Sequence, residues 1–454
     1  MTIFRATVLD TPGDEVIGTV RLRAQPDAAL LVEGGRVTAR GTFADIMAAL
    51  PSGGGHGHHE VVDLREGVLL PGLVDAHVHY PQVRVLGALG MPLLQWLEEC
   101  ALPEEARLES VDYARAVAAE FVHGLLSAGT TTALVFGSHF SAAVDAFFEA
   151  AARAGVRVAA GLVASDRALP GALLTTPDRY YEESIRLAGR WHGAGLARYA
   201  VTPRFSYSAS DALLAACSSV LTDVDGALFT SHVNESNAEV AAVAALFRTA
   251  DNYVDTYDRH GLVGTRAVLA HNVHTTTPEL TLLSARGAAV AHCPSSNAAL
   301  GSGLFPLRRH VEHGVRVALG SDVGAGTGFS LFKESLQAYL TQRLLGAEGL
   351  PLGAPDLLHL ATRSGAAALG LGDEVGDLSV GMQFDAVWVR PRRGDPLDVT
   401  LRHAASAEDA LGRALTLTTP ADLGGVWVGG EQVSGAGPSP LASSEPQPPD
   451  ARPE

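Results

Sequence analysis

A short apolar run followed by a polar loop and a longer Ala/Leu-rich amphipathic stretch recurs along the middle of the chain. Strands that alternate with helices eight times over roughly 250 residues predict a closed (β/α)8 TIM-type barrel. An open, doubly wound sheet is the alternative, but no GxGxxG motif follows the first strand. The predicted strands are Val68–Val74, Thr131–Phe136, Val156–Val163, Tyr199–Thr202, Ala227–Thr230, Ala267–Ala270, Ala288–Ala291 and Val315–Leu319. Helical periodicity between them predicts helices over Ser110–Ala128, Ala142–Ala154, Ser210–Thr222 and Glu239–Arg259.

The two ends of the chain have a different pattern. "ALLVEGGRVTARG" near the start predicts a hairpin with a Gly-Gly turn, and "QFDAVWVRP" and "GGVWVGGEQV" near the end predict further strands. We expect residues 1–67 and 376–433 to pair into one small composite β-sandwich domain beside a catalytic barrel of residues 68–375. Residues 434–454 are rich in Pro, Ser and Glu and predict a disordered tail. His56, His58 and His59 favour a flexible Gly-rich surface loop over a metal site.

The bulk composition limits the partners of the chain. The 454 residues carry a formal net charge of −17, which argues against nucleic acids and anionic membranes, because both bind basic patches. The first residues lack the pattern of a signal peptide, and no apolar run is long enough to span a bilayer. Three widely spaced cysteines predict neither disulfides nor a CxxC metal site. These features favour a cytoplasmic protein that acts on a small molecule.

Histidines follow the predicted strands of the barrel. His77 and His79 are two residues apart, so on a strand they lie on the same face. An isolated HxH is typical of a solvated surface pair, but His232, His271 and Asp322 come after the fifth, sixth and eighth strands. Because active sites of such barrels lie at the carboxyl ends of the strands, these groups should meet. Imidazoles with one carboxylate suit zinc, with iron or manganese as alternatives.

Five motifs at these positions carry a resemblance to a known family. "PGLVDAHVHYPQ", "SHVNE", "LAHNVH", "HCPSSN" and "LGSDVGAG" resemble the aminohydrolase branch of the metal-dependent amidohydrolase superfamily. Within that branch, "HYPQ", "LLQWLEE" and "TPRFSYS" are similar to the guanine deaminases. The resemblance extends from Ala29 to about Val428 and implies a zinc-dependent, homodimeric enzyme that hydrolyses guanine to xanthine and ammonia.

The resemblance also implies a set of metal ligands, which are His77, His79, His232 and Asp322. Binuclear members of the superfamily carry a bridging lysine after the fourth strand. Here that segment reads "ARYAVTPRF" and contains Arg204 but no lysine. We therefore expect one Zn²⁺ ion per chain.

The same resemblance implies catalytic roles. Asp322 would accept a proton from water, His271 would orient that water, and Glu235 would carry protons to ring atom N3 and to the leaving amine. For Glu235, an exposed acid at the start of a helix is the alternative. Gln82 and Arg204 are candidates to bind the O6 edge of guanine. Phe205 is expected to stack on the base, and His232, Glu235 and Asp322 should also contact it.

Two alternative functions are compatible with the general pattern of the sequence. A related aminohydrolase could act on a methylthioadenosine-type nucleoside, a triazine or a pterin, although "HYPQ" with "RFSYS" argues against these substrates. A non-catalytic barrel protein that assembles with others would have lost metal ligands, and none is missing. Trp96 fits a pocket wall and a core aromatic equally well, Cys293 fits a small buried residue better than a nucleophile, and "SSN" at 295–297 is assigned no chemistry.

Overall fold

A computed structural model describes residues 1–50 and 60–435, so the histidines at 56, 58 and 59 and residues 436–454 of the predicted tail lie outside the described residues. The strands are β1 (Thr2–Asp10), β2 (Arg23–Glu33), β3 (Arg36–Thr42), β4 (Glu60–Pro71), β5 (Leu73–His79), β6 (Thr130–Phe136), β7 (Arg157–Gly161), β8 (Val163–Ala164), β9 (Ala197–Pro203), β10 (Leu228–Val233), β11 (Ala267–His271), β12 (Ala289–His292), β13 (Arg316–Leu319), β14 (Ala386–Val389), β15 (Leu423–Val428) and β16 (Glu431–Ser434). The α-helices are α1 (Phe43–Ala49), α2 (Leu93–Trp96), α3 (Leu102–Ala106), α4 (Val111–Ser127), α5 (Ser141–Ala154), α6 (Pro177–Trp191), α7 (Asp211–Asp223), α8 (Asn237–Leu246), α9 (Asp255–Asp258), α10 (Thr277–Arg286), α11 (Pro294–Ala299), α12 (Leu307–Glu312), α13 (Leu331–Leu344), α14 (Ala354–Ala361), α15 (Arg363–Ala368), α16 (Pro396–Arg402) and α17 (Ala407–Leu417).

Eight parallel strands form the predicted barrel in the order β5-β6-β7-β9-β10-β11-β12-β13. The barrel closes through backbone hydrogen bonds between β5 and the segment that follows β13. Asp322 N–H donates to the His77 carbonyl at 2.9 Å, and His79 N–H donates to the Val323 carbonyl at 3.1 Å. The Asp75 carboxylate reinforces this closure by accepting from Ser321 N–H at 3.0 Å. The prediction of a TIM-type barrel is confirmed.

The first barrel strand differs from its prediction. Residues 68–71 end β4 of the other sheet, and the barrel begins at Leu73. Gly72 lies between the two strands, and a Cβ there would lie 2.2 Å from Thr131 Oγ1, so this position requires glycine. Both halves of the segment are buried, so one continuous apolar run concealed two strands. His77 and His79 consequently lie at the end of β5 itself.

The predicted helix over Glu239–Arg259 is also wrong. Helix α8 stops at Leu246, and α9 is a single turn. Between them, Asp255 N–H donates to Asn252 Oδ1 at 2.9 Å, and Tyr253 N–H donates to the buried Glu279 carboxylate at 3.2 Å. Short polar side chains that bind nearby backbone compete with helical hydrogen bonds, which periodicity alone does not reveal.

The two chain ends pair as predicted. Over the described residues they form one seven-stranded mixed sheet, and not the two packed sheets of the predicted β-sandwich, in the order β16-β15-β14-β4-β1-β2-β3, with Gly34 and Gly35 in the turn between β2 and β3. Strand β4 runs across the predicted boundary at residue 68 and so connects this sheet directly to the barrel. Over residues 1–50 and 60–435, no helix combines the length and apolar character needed to cross a membrane.

Candidate active site

Four predicted ligands converge at the carboxyl end of the barrel. The Nε2 atom of His79 lies 3.2 Å from His77 Nε2 and 3.1 Å from His232 Nε2. Asp322 Oδ1 lies 3.3 Å from Nε2 of both His77 and His79. A tetrahedral ion with ligands at about 2.0 Å would separate its donor atoms by about 3.3 Å, so these spacings fit a zinc-like cation.

The protonation of these groups also fits a cation. Burial lowers the pKa of His79 to about 4 and holds the pKa values of His77 and His232 below their ordinary value. Burial would raise the pKa of Asp322, but hydrogen bonds from His77 and His79 outweigh it and hold that pKa well below its usual range. Neutral imidazoles beside a carboxylate are the forms that bind a divalent metal.

A backbone contact fixes the tautomer of His232. Its Nδ1 lies 2.6 Å from the Arg204 carbonyl oxygen, which can only accept a hydrogen bond. Nδ1 therefore carries the hydrogen, and the Nε2 lone pair faces the other ligands. This support of a ligating imidazole by a second group is typical of metal sites.

Several residues at the ends of barrel strands adopt left-handed backbone. Asn234, His271, Asn272 and Asp322 have φ values of 50°, 72°, 49° and 48°. Non-glycine residues rarely adopt these angles, and such residues cluster at functional sites. The sharp turns aim side chains across the barrel mouth, and the Asn234 amide supports them by donating to Asn272 Oδ1 at 3.0 Å.

Glu235 lies beside the ligand cluster and is buried, so its alternative as an exposed helix-start acid is wrong. Its Oε2 is 3.5 Å from His271 Nε2, which is 3.8 Å from Asp322 Oδ2. Burial, followed by the charges of Asp322 and Glu239, raises the pKa of Glu235 well above its ordinary value. This shift favours the protonated form of Glu235, which is the form that can donate a proton.

Asn297 orients His271 and was not identified from the sequence. Its Oδ1 lies 3.0 Å from His271 Nδ1. If the amide oxygen accepts there, Nδ1 carries the hydrogen and the Nε2 lone pair faces Glu235. Asn297 follows the seventh barrel strand, and this position at the common rim was the available signal.

A small cavity opens onto the ligands. The predicted recognition residues Gln82, Arg204 and Phe205 all line it, and Trp96 forms part of its apolar wall. Its full lining comprises His79, Gln82, Leu93, Trp96, Leu97, Arg204, Phe205, His232, Glu235, His271, Leu300, Asp322 and Ala325.

A buried carboxylate that contacts two of these lining residues was also not identified from the sequence. Glu105 accepts from Arg204 Nη1 at 2.8 and 2.7 Å and from Gln82 Nε2 at 2.7 Å. The sequence offered only two adjacent glutamates on a helical stretch, without a sign of which one faces inward. Cys293 is fully buried, as expected for a core residue, with its Sγ among the donor atoms that cluster with His77 and His271.

Comparisons with known proteins agree with this geometry. The sequence model of the amidohydrolase family matches residues 68–433. A probable guanine deaminase of Deinococcus radiodurans is 56% identical over 95% of this chain and 98% of its own length. The structure of E. coli guanine deaminase aligns with a TM-score of 0.91 at 35% identity, covering 96% of this chain and all of that one. A guanine deaminase structure from C. acetobutylicum with guanine in its active site has a TM-score of 0.86 at 25% identity, over 95% and 99% of the two chains. The chain therefore belongs to the amidohydrolase family, in the group formed by the guanine deaminases.

Proposed function

We propose that this chain is a guanine deaminase, which hydrolyses guanine to xanthine and ammonia. The observation that carries the proposal is the convergence of His77, His79, His232 and Asp322 at one end of the barrel, next to a cavity lined by a buried acid and an arginine. The similarity to guanine deaminases along nearly the whole chain supports the same substrate.

The ligand set favours one zinc ion per chain. His77, His79, His232 and Asp322 would hold it, and their neutral nitrogens and single carboxylate suit zinc better than harder cations. When bound, a zinc ion supplies Lewis acidity, which makes a water molecule acidic near neutral pH. The absence of a lysine between Ala197 and Phe205 argues against a bridged second ion.

The residues around the ligands would move the protons. Asp322 accepts a proton from the attacking water, whose oxygen adds to C2 of guanine. His271 Nε2 accepts a hydrogen bond that orients this water. Glu235 delivers its proton to N3, takes up the proton of the hydroxyl formed at C2 and passes it to the amine. The C2–N bond then breaks, and the proton held by Asp322 returns to Glu235. The two protons of water end on N3 and on ammonia, so the equation balances.

The opposite side of the cavity would recognise the base. Arg204 uses Nη1 for Glu105, and its remaining N–H groups make no hydrogen bond within residues 1–50 and 60–435. Those donors can bind the O6 acceptor of guanine, whereas the 6-amino group of adenine would present hydrogens to them. Phe205, with its ring centroid 6.3 Å from that of His232, offers a face for stacking.

The test is ultraviolet spectroscopy of the purified, zinc-loaded chain mixed with guanine, in which xanthine should appear. Methylthioadenosine, a triazine and a pterin serve as competing substrates, and preferential turnover of one of them would replace guanine in the proposal. No turnover of any of them would favour the non-catalytic alternative. A cytoplasmic homodimer stays a prediction from resemblance, and analytical ultracentrifugation tests the dimer.

A further inference from the structure

Glu105 is a buried carboxylate that the proposed reaction does not use. It follows the segment that forms the apolar wall of the cavity and belongs to α3, but it does not itself line the cavity. Its side chain is 4% exposed, and it contacts groups from three other parts of the barrel mouth. Arg204 follows β9, Gln82 follows β5, and His139, whose Nε2 lies 3.3 Å from Glu105 Oε2, follows β6.

The charge of Glu105 compensates Arg204. The Arg204 side chain is 3% exposed, and a guanidinium buried to this degree needs an anionic partner. Burial alone would raise the pKa of Glu105, but the charge of Arg204, with smaller contributions from His139 and Gln82, holds it well below its usual range. Glu105 is therefore ionised and restrains Arg204 through Nη1.

The carboxylate also determines the orientation of the Gln82 amide. An ionised carboxylate only accepts hydrogen bonds, so the Gln82 group facing it must be the NH₂, as observed at 2.7 Å. The amide oxygen then turns the other way, where it accepts from Gly324 N–H at 3.3 Å. Because one carboxylate sets both side chains, it fixes the pattern of donors and acceptors that the cavity presents.

We propose that Glu105 is a positioning residue that makes the site selective for purines with an oxygen at C6. It acts through Arg204 and Gln82 and does not contact the base. The inference rests on the proposed function, because it assumes that these two residues face the O6 edge of guanine.

The test uses Glu105→Gln with Glu104→Gln as the matched control. Glu104 is the adjacent buried carboxylate, but it bonds to Arg107 and Tyr113 and does not contact Arg204 or Gln82. KM and kcat are measured with guanine, and inhibition constants are measured with hypoxanthine, which keeps the C6 oxygen, and with purine, which lacks it. Zinc content and the melting temperature of each variant are measured in parallel.

Glu105→Gln should raise KM for guanine and the inhibition constant of hypoxanthine by roughly ten- to hundredfold, because a buried partner is lost. Its zinc content, and its inhibition by purine, should match those of the wild type, and Glu104→Gln should change neither constant. An equal weakening of hypoxanthine and purine would overturn the inference, since it would indicate a general packing defect. Unchanged constants in a folded Glu105→Gln variant would also overturn it.

A double variant covers the case in which Glu105→Gln does not fold. Glu105→Gln combined with Arg204→Met removes both buried charges and is compared with Arg204→Met alone. Equal inhibition by hypoxanthine in these two variants, or a further loss that is confined to hypoxanthine and arises from Gln82, would support the inference. A further loss that is equal for hypoxanthine and purine would overturn it. A wild-type chain that leaves guanine unchanged would overturn the proposed function itself, and this inference with it.

Discussion

The substitution Glu235→Gln separates proton transfer from every other role of this residue. Burial raises the pKa of the Glu235 carboxyl and so favours its neutral form, and glutamine is a neutral group of nearly the same shape. The variant should therefore fold, hold zinc and bind guanine much as the wild type does. It cannot release a proton from its amide, so the steps that need protonation of N3 and of the amine should fail.

The expected loss follows from the role of a general acid. Such groups supply about 10²–10⁴-fold in rate, which corresponds to roughly 2.7–5.5 kcal/mol of activation free energy. If Glu235 acted only as an acid near the start of α8, its replacement would cost a few tenths of a kcal/mol of stability and leave kcat unchanged. The two roles therefore predict values of kcat that differ by at least a hundredfold.

The assay is steady-state formation of xanthine by the wild type, Glu235→Gln and Glu408→Gln, with zinc content measured for each. Glu408 is an exposed acid in the first turn of α17, so it is the matched control for a helix-start carboxylate. We expect kcat to fall only in Glu235→Gln, with KM and zinc content preserved. A kcat near that of the wild type would refute proton transfer by Glu235 and would assign the proton to His271.

Three further predictions concern the metal, the base and the pH. Elemental analysis of the active protein should give one zinc-like ion per chain, and two tightly held ions would contradict the ligand assignment. Removal of the ion should abolish turnover, while circular dichroism still reports a folded barrel. Arg204→Met should lower kcat/KM for guanine by roughly ten- to hundredfold, because a buried carbonyl loses its donor, with zinc content unchanged; an unchanged kcat/KM would show that another residue binds O6. Burial raises the pKa of Glu334 from 4.5 to about 8, so this carboxyl binds a proton more tightly in the folded protein than in the unfolded chain. The stability that it contributes is therefore lost as the pH rises from about 4.5 to about 8. Urea titrations should therefore show that the wild type loses free energy of unfolding relative to Glu334→Gln between pH 5 and pH 8. A difference between the two proteins that does not change with pH would disprove this.

The parts of the site that follow from local rules were predictable. Spacing of two residues on a strand places His77 and His79 on one face, and the barrel rule places His232, His271 and Asp322 at the same rim. The start of β5 was not predictable in this way, because a buried apolar run has the same pattern in either sheet. The close approach of Gly72 to Thr131 at the break is a tertiary contact that the sequence does not reveal.

The supporting residues were hidden for a different reason. Glu105 is 99 positions from Arg204 and 23 from Gln82 in the sequence. No local pattern links such distant groups, and its neighbour Glu104 has the same chemical character. Asn297 likewise meets His271 only when two strands of the barrel are adjacent. Residues whose role depends on a tertiary contact become visible only in the folded structure.

The closure of the barrel between β5 and the segment after β13 affects how the holoenzyme is assembled. Ser321 and Asp75 are 246 positions apart, so during translation the predicted ligands His77 and His79 emerge long before Asp322. The complete donor set exists only after the last strand has been synthesised and has docked beside the first. Capture of an ion at this site would therefore be a late step of maturation, and its binding energy would stabilise the closed ring. When a chelator removes the ion, amide hydrogen exchange should quicken first where the ring closes, at the ends of β5 and β13, while the opposite strands stay protected.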